Sequence, residues 1–138
     1  TLTDLTAQFG KPNSTSSDTT NGVKTDIDTW TNVEGGFGAN VIVTFTNNNA
    51  ISKNLTGFKL TRKQSIKLAD FNGFANGLKY TDFTAKWGQP DYYDETLISG
   101  ETTIIAGYTS GVKGDLGASF NVTFTNGVLS GKSQSGMK

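Results

Sequence analysis

Two kinds of hydrophobic spacing divide the chain. In LTDLTAQFGKP (2–12), Leu5 and Phe9 stand four apart, as do Phe83 and Trp87 in YTDFTAKWGQP (80–90). Residues four apart share one face of a helix, so each stretch predicts a short amphipathic helix. Thr3 and Thr81 are the expected N-caps, with Asp4 and Asp82 placed where a carboxylate complements the helix dipole. Gly10 and Gly88 then suit the left-handed position after a helix, and Pro12 and Pro90 stop it. Elsewhere the apolar positions alternate: Val41, Val43 and Phe45 in one segment, Phe120, Val122 and Phe124 in another, which predicts half-buried strands. Asn126-Gly127 is a strong hairpin signal and Asn47-Asn48 a weaker one. The strands expected at 23–31 and 101–109 place Ile27 and Ile105 in the core phase.

These matches form one internal repeat. Thr3/Thr81, Asp4/Asp82, Thr6/Thr84, Ala7/Ala85, Gly10/Gly88 and Pro12/Pro90 are identical at a separation of 78 residues. GANVIVTFTN (38–47) and GASFNVTFTN (117–126) agree at seven of ten positions, now 79 apart. Gly57-Phe58-Lys59 answers Gly136-Met137-Lys138. Ordered blocks along the whole length imply a tandem duplication, with one module over 1–59, a second over 60–138 and a linker near 59–66. A further helical stretch, LADFNGFANG, spaces Leu68, Phe71, Ala75 and Leu78 helically until Gly77 breaks the pattern. Its counterpart would fall ahead of residue 1, so residue 1 is read as a processing or proteolytic boundary. The first half of the sheet is accordingly expected to be less well covered. The expected class is α+β: a helix–loop–helix plus a four-stranded antiparallel sheet, repeated, with the first helix missing.

Composition narrows the chemistry. Twelve basic and twelve acidic residues are dispersed with zero net charge, which leaves no basic stripe for nucleic acid. Without His or Cys the usual general base, the commonest metal ligands and disulfides are all absent, and neither a cofactor nor a metal is expected. Asp26 and Asp28 are the nearest approach to a carboxylate pair, on one strand face but with no sign of a pocket, so the chain is read as non-catalytic. A Cys-free chain suits export from a Gram-positive cell, though no signal peptide or lipobox is visible. No apolar run approaches the roughly 18 residues of a membrane span.

FTNGVLSGKSQ (124–134), LADFN (68–72) followed by Gly77-Leu78, and the helix ending at Gly88-Gln89 resemble the secreted β-lactamase inhibitory protein family, including its tandem-repeat homologues in Gram-positive bacteria. The resemblance covers nearly the whole chain. It implies one concave sheet with helices on one face, while the other face and two loops grip a target enzyme. Carried onto this sequence, the solvent-facing set is the one out of phase with the expected core: Lys24, Asp26, Asp28, Trp30, Ile42 and Thr44, then Thr102, Ile104, Ala106, Tyr108, Asn121 and Thr123. The loops are Glu34-Gly35-Gly36-Phe37 and Lys113-Gly114-Asp115-Leu116. Departures are plain: Gly36 stands where the family's first loop has an acidic residue, with Glu34 nearby, and Asp115 where the second has an aromatic. Thr123 and Ser135 replace aromatics of the concave face, and the family's disulfides are missing.

The binding surface expected from these readings comprises Lys24, Asp26, Asp28, Trp30, Glu34, Phe37, Tyr93, Tyr108, Asp115 and Leu116. Each has a plainer reading: alternating charges as a solvated strand face, Trp30 and Tyr108 as packing, the loop apolar residues folded back on the sheet edge. In Asp91-Tyr92-Tyr93-Asp94-Glu95 the choice lies between a cation or sugar site and the start of a strand with solvated charges. The leading expectation is an exported, non-catalytic protein-binding module, secreted or lipid-anchored at the cell surface. Its partner would be a protein, in the specific form a β-lactamase or a related penicillin-recognising enzyme. The alternative is a structural or assembly lipoprotein of the cell envelope, or a small-ligand receptor.

Overall fold

The computed structural model of the protein describes residues 1–33, 37–58, 60–62 and 65–138. The elements are α1 (Leu2–Phe9), β1 (Ser14–Thr20), β2 (Val23–Thr31), β3 (Asn40–Thr46), β4 (Asn49–Thr56), α2 (Leu68–Asn72), α3 (Tyr80–Trp87), β5 (Tyr92–Ile98), β6 (Glu101–Tyr108), β7 (Gly114–Thr125) and β8 (Val128–Met137). The fold is α+β. The strands form one eight-stranded sheet in sequence order, β1 to β8, with each neighbouring pair antiparallel.

Tight turns dictate that meander. At Asn21-Gly22, Asn47-Asn48, Ser99-Gly100 and Asn126-Gly127 both central residues have positive φ, the mirror-image turn whose twist matches paired strands. Asn47 and Asn126 do more than tolerate this backbone. Their side-chain carbonyls accept the N–H of Lys24 at 3.1 Å and of Thr102 at 3.0 Å, pinning each hairpin to the strand before it. All four turns gather at one end of the sheet. The longer connections after β2 and β6 lie at the other.

One cross-strand row shows which face is the core: Trp30, Val41, Leu55, Tyr93, Ala106 and Val122 stand opposite one another from β2 to β7. On this face α1 contributes Leu2 and Leu5 to a cluster with Trp30, Val41, Val43 and Phe45. Phe71, Phe74, Phe83 and Trp87, from α2, α3 and the turn between them, meet Tyr108, Phe120 and Phe124 in a larger one. The helices therefore share one side of the sheet, leaving the other without cover.

The strand phase expected for β2 and β6 is reversed. Ile27 and Ile105 are exposed on the open face, whereas Asp26, Asp28, Trp30, Ile104, Ala106 and Tyr108 are buried on the helix face. The two large amphipathic side chains decide it. Trp30 Nε1 donates to the Gly10 carbonyl and the Tyr108 hydroxyl to the Gly88 carbonyl, each at 2.9 Å, at the ends of α1 and α3. Burying a large ring while satisfying its polar end outweighs burying an Ile.

The caps also differ from expectation. α1 starts one residue beyond Thr1, whose hydroxyl receives the Asp4 N–H while Asp4 accepts from Thr1, and Thr3 lies inside the helix. α3 begins after Lys79, so Thr81 is likewise internal. α2 ends at Asn72 rather than near Gly77. There Lys132 Nζ takes the carbonyls of Phe71, Asn72 and Phe74 at 2.8, 3.0 and 2.8 Å, satisfying acceptors that a longer helix would have used itself.

Candidate functional site

The end of the sheet opposite the hairpins carries the most exposed apolar side chains. Phe37, in the connection after β2, is 90% exposed, and Leu116, after β6, is fully exposed. Leu116 sits in an irregular stretch where the pairing of β7 with β8 jumps from Gly114↔Met137 to Ser119↔Ser135, so it belongs to the start of a strand rather than to a free loop. Four strand spacings separate the two tips, about 19 Å at the usual inter-strand distance. Beside Leu116, Asp115 is exposed and paired with Lys138. Glu34 lies outside the described residues.

The other expected site residues do not join them. Lys24 is exposed, but it reaches Asp26 at 2.8 Å on the helix side. Asp26 also accepts from Ser17, and Asp28 from Thr15, both at 2.5 Å. The Lys24 bond and then the Ser17 hydroxyl hold the Asp26 carboxyl below its usual range. Asp28 is fully buried, and its second oxygen has no hydrogen-bond partner among the described residues. Trp30 and Tyr108 hold helix to sheet. Tyr93 is buried as well, donating to Glu95 at 2.6 Å, and its phenol is pushed far up by burial and then by that carboxylate. These residues are scaffold: Asp26, Asp28, Trp30 and Tyr108, expected on the solvent-facing strand face, are buried under the helices, and Tyr93, expected as a ligand contact in the 91–95 run, is buried with them.

The open face instead presents Tyr92. Asn54 Nδ2 donates to the Tyr92 hydroxyl at 3.0 Å, and that hydroxyl donates to Asp94 at 3.2 Å, a polar triad on the two central strands. Tyr92 stands opposite Gly107, where an added Cβ would come within 3.2 Å of the Tyr92 Cβ. Glycine there lets the ring lie against the backbone of β6. Partial burial, then the Asp94 charge, raises the Tyr92 pKa, so it remains a neutral phenol near neutral pH. Next to the triad, Asp94, Thr96, Ile98, Glu101, Thr103 and Ile105 line a hollow of about 640 Å³. One signal could have found this site: in a strand reading Tyr-Tyr, alternation turns one ring in and the other out, and Leu55↔Tyr93 fixes which.

Among the described residues no three His, Cys, Asp or Glu converge as metal ligands. No described helix is long and apolar enough to cross a membrane. What the arrangement offers is apolar tips, one aromatic and hydroxyl-rich strands, the makings of a recognition surface.

The model of the family described as "Domain of Unknown Function with solved-structure structure (DUF3862)" matches residues 1–137. The chain belongs to the DUF3862 family. Comparison with curated proteins finds no match. Among solved structures, this DUF3862 chain is similar to a Streptococcus mutans protein named "putative beta-lactamase inhibitor protein", at 23% identity and a TM-score of 0.85, over 99% of this chain and 83% of that one. That likeness establishes the shared fold and supports the family resemblance read from FTNGVLSGKSQ and LADFN.

Proposed function

We propose that this DUF3862 member is an exported, non-catalytic protein-binding module, built from two copies of one module that together form a single asymmetric surface. The carrying observation is the pair Phe37 and Leu116, both essentially uncovered at the same end of the sheet. Exposed large apolar residues at defined tips suit the anchors of an interface, where a few aromatic and aliphatic contacts carry most of the energy. Tyr92 and the hollow beside it extend that surface across the open face. The specific form, inhibition of a β-lactamase or a related penicillin-recognising enzyme, draws its support from the description of the Streptococcus mutans structure and from the sequence resemblance. Export to the cell surface or beyond belongs to the same proposal and draws its support from the sequence resemblance to a secreted family.

The test is an inhibition and binding panel of β-lactamases and penicillin-binding enzymes against micromolar protein, run in parallel with Phe37→Ser/Leu116→Ser and Tyr92→Ala. Inhibition by the wild type, weakened at least tenfold by the double substitution, is expected. Inhibition that none of the variants changes would refute this surface. No inhibition across the panel would remove the enzyme-directed form.

A further inference from the structure

Strand β5 carries a tyrosine and a carboxylate two residues apart on each of its faces. On the helix face the Tyr93 hydroxyl donates to Glu95 at 2.6 Å. Lys53 of β4 completes that set, with Nζ 2.7 Å from Glu95 and 5.3 Å from the centre of the Tyr93 ring. On the open face the Tyr92 hydroxyl donates to Asp94 at 3.2 Å, but the β4 residue opposite Asp94 is Asn54. Among the described residues Asp94 meets neutral donors alone: Tyr92, Asn54 and Thr96. The cation present on one face of β5 is missing from the other.

That imbalance runs across the whole open face. Asp18, Asp94 and Glu101 stand on it, in phase with Thr25, Tyr92 and Ile98. The strand lysines all turn the other way: Lys24 to Asp26, Lys53 opposite Val43, and Lys132 opposite Val122. The hollow beside Tyr92 has room for a cation on a long apolar stem. Ile98 and Ile105, 68% and 41% exposed, lie between Asp94 and Glu101 in its wall. An interior site of the same chain shows a cation using such parts together, where the Arg62 guanidinium lies 4.3 Å from the centre of the Tyr108 ring and donates to Asp91 at 2.9 Å.

We propose that Tyr92 and Asp94 receive an arginine side chain of a partner protein, with its guanidinium between ring and carboxylate and its stem along Ile105. This rests on the reading of the open face as a protein-binding surface and names the chemistry that the partner presents. Charge complementarity selects a cation, and the ring selects the planar one: a guanidinium stacks on a phenol and donates in its own plane, which an ammonium cannot do. Asp94 can accept it, because Oδ1 takes the Thr96 hydroxyl alone among the described residues, at 3.4 Å. The helices belong to the opposite face, as would any counterpart of α2 that the proposed repeat sets ahead of residue 1.

The probe is the capped tripeptide acetyl-Gly-Arg-Gly-amide, beside the same peptide with lysine and with citrulline, the uncharged isostere of arginine. Each is titrated into the intact protein at low ionic strength and followed by NMR. The expected result is saturable binding of the arginine peptide below about 0.1 M, at least threefold weaker binding with lysine and none with citrulline. The largest shifts are expected at Tyr92, Asp94 and Ile105. Asp94→Asn and Tyr92→Leu should each weaken binding at least threefold. Asn54→Lys supplies the open face with the cation that Lys53 gives the helix face, and it should abolish binding; circular dichroism checks the fold of each variant. Equal binding of arginine and citrulline, shifts spread evenly over Asp18, Asp82 and Asp94, or binding that Asn54→Lys leaves unchanged overturns the proposal. So does the absence of saturation at about 0.1 M peptide. Because this assay contains no enzyme, its failure strikes the arginine site alone, whereas an enzyme panel without a target removes the enzyme-directed form and leaves the peptide result standing.

Discussion

Arg62 joins parts of the chain that the sheet alone does not tie. Its Nε donates to the Ser110 carbonyl at 2.7 Å, Nη1 to the Trp87 carbonyl at 2.9 Å and Nη2 to Asp91 at 2.9 Å. The guanidinium lies 4.3 Å above the Tyr108 ring, and the side chains of Arg62 and Asp91 are 4% and 16% exposed. A lysine keeps the charge but has one nitrogen to offer three acceptors in three elements, and it loses the planar stack. Removing one partner of a buried pair costs about 3–5 kcal/mol. Asp91 is left with the Ser110 hydroxyl and the N–H groups of Thr109 and Ser110, so the low end applies. Arg62→Ala is expected to lose about 3 kcal/mol and Arg62→Lys about 2 kcal/mol, because each charge-assisted bond is worth about 1.5–3 kcal/mol. For a chain of this size that is about 9 °C and 6 °C in melting temperature.

Urea unfolding at neutral pH, followed by tryptophan fluorescence, measures both variants. The pH dependence supplies a second readout. Burial pushes the Asp91 carboxyl up, but the Ser110 hydroxyl, the Thr109 N–H, the Arg62 guanidinium and the Ser110 N–H together hold it below its usual range. A depressed folded pKa contributes stability that is fully present above the unfolded value of about 3.9 and is lost as pH falls through the folded one. Without Arg62 the folded value moves back toward the unfolded one. The gap between wild type and Arg62→Ala must therefore be widest near neutrality and narrow below about pH 4. An Arg62→Lys variant within about 0.5 kcal/mol of wild type would refute the reasoning, since the loss of even one charge-assisted bond predicts several times that.

Three further expectations follow from the same contacts. Asp28→Ala should leave stability unchanged or raise it by about 1 kcal/mol, because it removes a buried oxygen without a described partner and installs the residue found at the repeat-equivalent Ala106; a urea-measured loss above about 2 kcal/mol would mean that the carboxylate holds something. Tyr108→Phe should cost about 1 kcal/mol by baring the Gly88 carbonyl, a loss that calorimetry would show as a melting point lower by about 3 °C. Phe37→Ser with Leu116→Ser should stay within about 0.5 kcal/mol of wild type while diminishing dye binding to exposed apolar surface, and a marked loss of stability would mean that the tips pack on the sheet.

The sequence disclosed the parts of this fold that depend on local backbone chemistry. Asn126-Gly127 and Asn47-Asn48 form the turns their residue types require, and the alternation in β3 and β7 points Val41, Val43, Phe45, Phe120, Val122 and Phe124 inward as read. In β2 and β6 the same reasoning failed because each strand offers two faces of similar apolarity. KTDIDTW has an isoleucine on one side and a tryptophan on the other, with carboxylates beside the tryptophan. What decides the face is a carbonyl twenty residues away, at Gly10, which accepts the indole N–H. The aspartates then follow the tryptophan inward, and Thr15 and Ser17 on β1 make that tolerable. No period in the strand itself encodes those partners. The candidate site shares the same blind spot: once the phase is reversed, Trp30 and Tyr108 become scaffold and Tyr92 becomes surface.

If the two halves are copies of one module, as proposed, the sheet gives a reason why they would form one recognition surface and not two. Residues at equal repeat positions perform equal tasks where the task is holding a helix on the sheet, as Trp30 with Gly10 and Tyr108 with Gly88 do. The strands carrying the open face occupy unlike places. β1 is an edge and β5 is central, yet they are repeat equivalents, Ser14–Thr20 against Tyr92–Ile98. An edge strand presents unpaired backbone groups, so a sticky face there invites pairing with other chains. β1 is correspondingly STSSDTT, exposed throughout and without a single large apolar residue. β5 is closed on both sides by β4 and β6, and it can carry Tyr92, Asp94 and Ile98 without that hazard. Position in the sheet, rather than ancestry within the repeat, therefore determines where an aromatic recognition residue is tolerated. The asymmetry between Ser14 and Tyr92 is what places the open face's aromatic at the centre of the sheet, on the strand that joins its two halves.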